Sequence, residues 1–475
     1  MKRPKVRSRV VTLPHSDEDA ATIYSAMVEA ARSAGAFWSP KLARGTSSDS
    51  AVLGIVATEQ IEEGELLCLV PASLHISVPS CKQALPQVFS ALKNLDFNDE
   101  ERREELGHVS CLALLMGRAM QRRCTEGGCE GSNTSEGWPL TTPVLWELCV
   151  RGLLLLDLQD HPYCQAANDP DAFSENFSSS GEIQHIKDLV GYVLHVHKTV
   201  CEKIDVQVFG GAQFTLGCFM KAWLCLLTRE FGGAHGSALV PLVEFFNHTP
   251  TPGAEQGWED SMDAMVIRAL RPHAVGEEVG ICYANLSNPL LFRTYGFTLP
   301  PEQEPSWTCT LLVGDVVQVA NEKLANSLRT LPNVHLDTAS VTDTLAEALE
   351  ACRNAEYDGA DFLHDVCTRK AKVYEDDAAL RVALAALTRA VKRTQADGRV
   401  VQPWAWWAEL VSEPAAASLE ETNYVDYSKD EAIRVKMSEY LCFLSHLEAL
   451  HRVGGLPAHH GGAPIGAFRG HGLQE

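Results

Sequence analysis

Leu239-Val-Pro-Leu-Val-Glu-Phe-Phe-Asn-His-Thr249 and Gly276-Glu-Glu-Val-Gly-Ile-Cys-Tyr-Ala-Asn-Leu-Ser-Asn288, the latter continuing to Tyr295-Gly-Phe297, decide how this sequence folds. The first is a strongly apolar run that ends in an amide and an imidazole. Such groups must find hydrogen-bond partners wherever the run is buried. In the second, a turn at Gly276-Glu277-Glu278 leads into Val279 to Tyr283, which reads as a strand ending in tyrosine.

Strand character extends outward from these stretches. Val52 to Ala57 and Leu66 to Val70 read as short strands around the turn Glu62-Glu63-Gly64-Glu65, and Pro71 closes the second. Met262 to Leu270 alternates in part, and Leu239 to Phe246 reads as strand. Between the two strand regions, from about Pro79 to Phe231, the character is helical. Ile186, Leu189, Val193, Val196 and Val200 recur at helical spacing. Cys124 to Gly137 reads as an exposed loop. Pro300-Pro301 marks a boundary, and helical spacing resumes beyond it with Leu380, Leu384, Leu387 and Val391. Ser428 and Glu431 have the form of a capping box that opens a helix with Ile433, Met437, Tyr440, Leu444 and Leu447 on one side. The Gly- and His-rich tail from Gly454 is expected to be disordered. The order of elements predicts an α+β chain: strands, a helical insertion, strands, then a separate all-helical region.

Composition narrows the function classes. Acidic residues outnumber basic ones 62 to 40, a formal charge of −22, which repels phosphate backbones and favours a basic protein over nucleic acid as partner. No run of 18 or more apolar residues predicts a membrane span. The basic start, Met1 to Arg9, lacks the apolar core of a secretory signal. Fifteen cysteines without a framework spacing predict reduced thiols and a cytoplasmic or nuclear location. No Gly-x-Gly-x-x-Gly joins a strand to a helix, and no Walker loop or His-Glu-x-x-His occurs. Cys124 and Cys129 lack a convincing second pair, so no metal is expected.

Together the two opening stretches resemble the two halves of the SET-domain active site, in the branch that includes the Rubisco large-subunit methyltransferase. Val52-Leu-Gly-Ile-Val-Ala57, Ile61, Gly64-Glu65 and Val70-Pro71 follow that family's first strands in order. Phe214 through Trp223 to Thr228-Arg229-Glu-Phe231 resembles the helix before the Asn-His segment, and the helix from Ser428 resembles the end of the branch's substrate-binding domain. The resemblance implies a SET fold of small curled sheets with a pseudoknot over residues 31–299, with a helical insertion at about 80–231. A tail and first helix in 1–30 would precede it, and a helical substrate-binding domain in 300–453 would follow.

It also implies an S-adenosylmethionine-dependent protein-lysine methyltransferase acting on a non-histone protein. A histidine methyltransferase, or a scaffold that kept the fold and lost the chemistry, are the alternatives. Tyr283 matches the catalytic tyrosine. Leu53, Gly54, Arg229, Asn247, His248, Tyr295 and Phe297 match cofactor positions, and Phe231 and Val243 match the lining of the target channel. Both lining residues are apolar, which suits an alkylamine better than an imidazole. The family pattern is broken at Ala51 and Val52, at Ala284 after the tyrosine, and at Glu244 where an Asp is usual. Trp404, Trp406 and Trp407 read as core residues before a docking patch.

Overall fold

The computed structural model of the protein describes residues 11–16, 18–47, 52–93, 95, 100–126, 143–177, 180–204, 214–233, 236–300, 303–377, 380 and 431–454. Ala51, Cys129, most of the Cys124 to Gly137 loop, Leu384, Leu387, Val391, the three tryptophans of 404–407, Ser428, the basic start and the final tail lie outside these residues. Two compact units divide the chain, one of Met1–Pro170 with Lys187–Asn285, the other of Asp171–Ile186 with Leu286–Glu475.

Among the described residues, the first unit holds nine short strands: β1 (Phe37–Trp38), β2 (Leu42–Gly45), β3 (Gly54–Ala57), β4 (Leu66–Pro71), β5 (Ile76–Ser77), β6 (Glu230–Gly233), β7 (Gly236–Leu239), β8 (Ala254–Glu259) and β9 (Ala264–Ala269). They form three small antiparallel sheets, ordered β1-β4-β9-β8, β2-β3 and β5-β7-β6. A register shift between Leu66 and Cys68 bends β4 against β9. Buried Ile55, Leu67, Val70, Ile267, Val279 and Ile281 supply apolar side chains to the interior of this unit.

Two expectations are corrected here. Leu239 to Phe246 is strand only as far as Leu239. Pro241 has no N–H to give a ladder, Leu242 takes the left-handed region at φ 75°, and Val243–Phe245 forms a single 3-10 turn. Val279 to Tyr283 makes isolated bridges rather than a regular strand: Glu278 faces Val56, and Ile281 faces His248 and Ala254. Its neighbours lie on two sides. Val279 N–H donates to the Ile55 carbonyl at 2.8 Å, and Ile281 N–H donates to the Asn247 carbonyl at 3.0 Å.

Helices between β5 and β6 form the insertion. Glu100–Glu126 packs against Leu216–Arg229, whose Cys218, Phe219, Ala222, Leu224 and Cys225 are buried. Lys221 of that helix is buried as well. Its ammonium donates to the carbonyls of Pro14, Leu154 and Leu156 at 2.8, 3.2 and 2.6 Å, satisfying the open end of helix Val144–Leu154. Among the described residues, no helix is long and apolar enough to cross a membrane. Cys68, Cys81, Cys111, Cys149, Cys164, Cys218, Cys225, Cys309, Cys352, Cys367 and Cys442 are buried free thiols, Cys201 is an exposed one and Cys282 a half-buried one.

The second unit is mainly helical, built on helices Asn288–Tyr295, Asp343–Asn354, Gly359–Glu375 and Glu431–Gly454. Ile433, Met437, Tyr440, Leu444 and Leu447 enter its core as their spacing predicts, beside Phe362, Val366 and Tyr374. The expectation of an all-helical region is corrected by an antiparallel pair, β10 (Thr308–Leu311) and β11 (Val334–Asp337). All four residues of β10 are buried, and the segment is too short to show a period by itself. Glu439 is buried too, accepting from the Gly181 N–H at 3.0 Å and the Tyr374 hydroxyl at 2.9 Å, and burial pushes its pKa up to about 7.

Candidate active site

The 3-10 turn delivers Asn247 and His248 to the segment that ends in Tyr283. Asn247 reaches back to β3: its Nδ2 donates to Glu278 Oε1 at 2.7 Å and to the Leu53 carbonyl at 3.4 Å. Gly54 makes this approach possible. A Cβ there would stand 2.4 Å from Glu278 Oε1 and 2.5 Å from Asn247 Nδ2, so any side chain would displace both. Leu53 is 43% exposed and Val52 is 61% exposed, so the Val52 branch points to water and leaves this contact open.

His248 Nδ1 receives the backbone N–H of Tyr283 at 3.2 Å. An N–H can only donate, so this nitrogen is bare and the ring's proton sits on Nε2. Burial also lowers the His248 pKa, which keeps the imidazole neutral. The Tyr283 hydroxyl donates to the Phe246 carbonyl at 2.7 Å, and its ring lies 5.4 Å from that of His248. Phe246 is held in turn, fully buried, with its ring 5.7 Å from Trp38. The tyrosine's hydroxyl hydrogen is therefore committed to a fixed acceptor.

Arg229 ends helix Leu216–Arg229, and its Nη1 donates to the Glu244 carbonyl. Arg44 of β2 lies with its guanidinium carbon 4.2 Å from the centre of the Phe245 ring. Both cations act on the charge of Glu244, which is 3% exposed, with Oε1 accepting from the Cys149 thiol at 3.4 Å. Arg229 Nε, Arg44 Nη1 and Glu244 Oε2 are buried without a hydrogen-bond partner. Burial raises the Glu244 pKa to about 7, against the pull of Arg229 and Arg44. Its ordinary value lies lower, so the stability it allows is complete at acid pH and lost as pH rises through about 7. We expect Glu244→Gln to remove that loss. Its melting temperature should exceed the wild type's by a few degrees more at pH 8 than at pH 5. Equal differences at both pH values would mean that Glu244 does not titrate in this window.

Val243 is fully buried at the start of the turn, and Phe231 of β6 is buried opposite Ala238 of β7. Tyr295 and Phe297 belong to the second unit, with ring centres 6.0 Å apart across Gly296, whose φ of 78° ends helix Asn288–Tyr295. The structure thus joins Leu53, Gly54, Asn247, His248 and Tyr283 through direct contacts, with Arg229 bonded to the turn before them. Glu278, the acceptor that holds Asn247, was not among the expected site residues. Its one signal was an acid directly before an apolar segment.

A family model described as "SET domain" matches residues 52–284. The ribosomal lysine N-methyltransferase set11 of Schizosaccharomyces pombe is 33% identical over 88 residues, which are 17% of this chain and 23% of that protein. The matched stretch thus spans under a quarter of this relative's length. Among solved structures, the SET domain of LSMT bound to lysine and AdoHcy superposes with a TM-score of 0.54 at 16% identity. Rubisco LSMT bound to AdoMet gives 0.53 at 15%. Each superposition covers 92% of both chains. The contacts of Asn247, His248 and Tyr283 thus lie within the matched region, and this chain carries a SET domain on the fold of the Rubisco LSMT structures.

Proposed function

We propose that this chain is a protein-lysine N-methyltransferase that uses S-adenosylmethionine and acts on a non-histone protein. The observation that carries the reading is the Tyr283 hydroxyl, bonded to the Phe246 carbonyl where the Asn247-His248 and Val279–Tyr283 segments meet. The relatives add support: set11 is named for ribosomal lysine, and the LSMT structures hold lysine or AdoMet.

The residues present suit such a cofactor. Arg229 Nε is a buried cationic donor without a partner, which an anionic carboxylate would satisfy. Gly54 brings backbone close to Asn247. By the resemblance, the Asn247-His248 segment holds the cofactor's amino-acid part, Leu53, Gly54 and Arg229 approach the cofactor, Phe297 stacks on the adenine, and Tyr295 is a second tyrosine of the pocket. The bound sulfonium supplies an electrophilic methyl group.

A lysine in water has a pKa of about 10.4 and is a poor nucleophile while charged. Phe231 and Val243, both buried and apolar, disfavour the ammonium and give an imidazole nothing to bond. The Tyr283 hydroxyl donates its hydrogen bond to the Phe246 carbonyl, which fixes the oxygen to accept an amine N–H and aim the nitrogen lone pair. A phenol titrates near ~10, so its role is orientation, and the amine's proton leaves to water. The charge of −22 favours encounter with a basic protein, in the cytoplasm or nucleus.

Calorimetric titration with S-adenosylmethionine, and labelled-methyl transfer into a cell extract followed by mass spectrometry, test this reading. We expect micromolar binding, about −8 kcal/mol, and label on lysine. Label on histidine would replace the target class. Absence of binding would leave a SET-fold scaffold.

A further inference from the structure

Asn288 is buried, and its side chain grips the chain at Leu299. Its Nδ2 donates to the Leu299 carbonyl at 3.0 Å, and its Oδ1 accepts from the Leu299 N–H at 2.6 Å. Helix Asn288–Tyr295 and the turn after it, through Gly296 and Phe297 to Leu299, are tied back on themselves by this one amide. Glu304 fixes that amide. Its Oε1 accepts from the Asn288 backbone N–H at 2.6 Å, and its Oε2 accepts from Asn288 Nδ2 at 3.2 Å. The Ser438 hydroxyl, on the last helix, donates to the same Oε1 at 2.6 Å. Arg434, one turn earlier on that helix, donates to the Thr298 carbonyl at 3.2 Å.

We propose that Glu304 is a positioning residue for the cofactor's adenine end, fixing the Tyr295–Phe297 pair through Asn288 with the last helix as its support. This rests on the reading of Tyr295 and Phe297 given above. Three donors from two elements converge on one carboxyl, and an apolar residue in its place would strand the Asn288 N–H. Burial pushes the Glu304 pKa up to about 8, so the acid is kept where its charge is disfavoured.

Calorimetric titration of the full chain with S-adenosylmethionine, beside thermal melts, tests the proposal. Glu304→Ala is expected to weaken binding about tenfold or more, while kcat at saturating cofactor stays within about twofold. Glu304→Gln keeps the acceptor of the two 2.6 Å bonds and should bind within about threefold of wild type. Asn288→Ala should match Glu304→Ala, and the double variant should be no weaker than the worse single one, because one residue acts through the other. Should Glu304→Ala fail to fold, Glu304→Gln and Ser438→Ala carry the comparison, the latter with an expected loss of about threefold. Wild-type binding that Glu304→Ala leaves unchanged, or losses that add in the double variant, would overturn the proposal and spare the methyltransferase reading. A wild type that takes up no S-adenosylmethionine removes both.

Discussion

Tyr283→Phe is expected to slow methyl transfer by about two to three orders of magnitude and to leave S-adenosylmethionine binding within about threefold of wild type. The variant keeps the ring against His248 and removes one oxygen. With it goes the bond to the Phe246 carbonyl, and with that the lone pairs that orient the amine. The carbonyl is left short of a donor, which costs about 1–3 kcal/mol in stability, so melts must accompany the kinetics. Single-turnover transfer at saturating cofactor isolates the chemical step. A rate equal to the wild type's would reduce Tyr283 to a core aromatic and move catalysis elsewhere.

Gly54→Ala should act at the other half of the reaction. The added carbon meets side-chain ends, Glu278 Oε1 at 2.4 Å and Asn247 Nδ2 at 2.5 Å, and these can swing aside where backbone could not. The fold therefore survives, and the variant should melt within a few degrees of wild type. The loss falls on the site, because the bond between Asn247 and Glu278 breaks and Asn247 leaves the Leu53 carbonyl. Loss of this arrangement is expected to weaken cofactor affinity by about 2 kcal/mol or more, roughly thirtyfold. Calorimetry on the folded variant checks it. Undiminished affinity would show that the cofactor is held without this approach of backbone to Asn247.

How much of this was legible in the sequence depends on what each residue reveals by type. Asn247, His248 and Tyr283 stand out because polar groups at the end of apolar runs demand partners. Glycine at 54 points to close backbone approach. Glu278 looks like a turn acid, and nothing local tells that its carboxylate serves an amide 31 residues earlier. The acceptor for Tyr283 is a main-chain carbonyl, which every residue has, so the identity of Phe246 carries no signal. Nothing in the sequence marks Arg44, whose guanidinium lies over the Phe245 ring and feels the charge of buried Glu244. Leu242 gives no hint of positive φ, because leucine almost never adopts it. Helical spacing was right for Ile433 to Leu447, where one face meets a large core. The all-helical expectation failed at β10, where four residues are too few to set a period.

The junction of Asn247 with Leu53 closes a loop of 194 residues, and Val279 pairs with Ile55 over a longer one still. Closure of such loops is slow, since chain entropy must be surrendered before the distant partners can repay it. On the ribosome, β2 and β3 emerge early and wait while the helices of the insertion are made. A nascent chain ending anywhere before Tyr283 lacks the tyrosine whose N–H meets His248 and whose hydroxyl meets the Phe246 carbonyl. Refolding from denaturant should accordingly recover helical circular dichroism well before cofactor binding, and the lag should report the threading of residues 279–283 between β3 and Asn247.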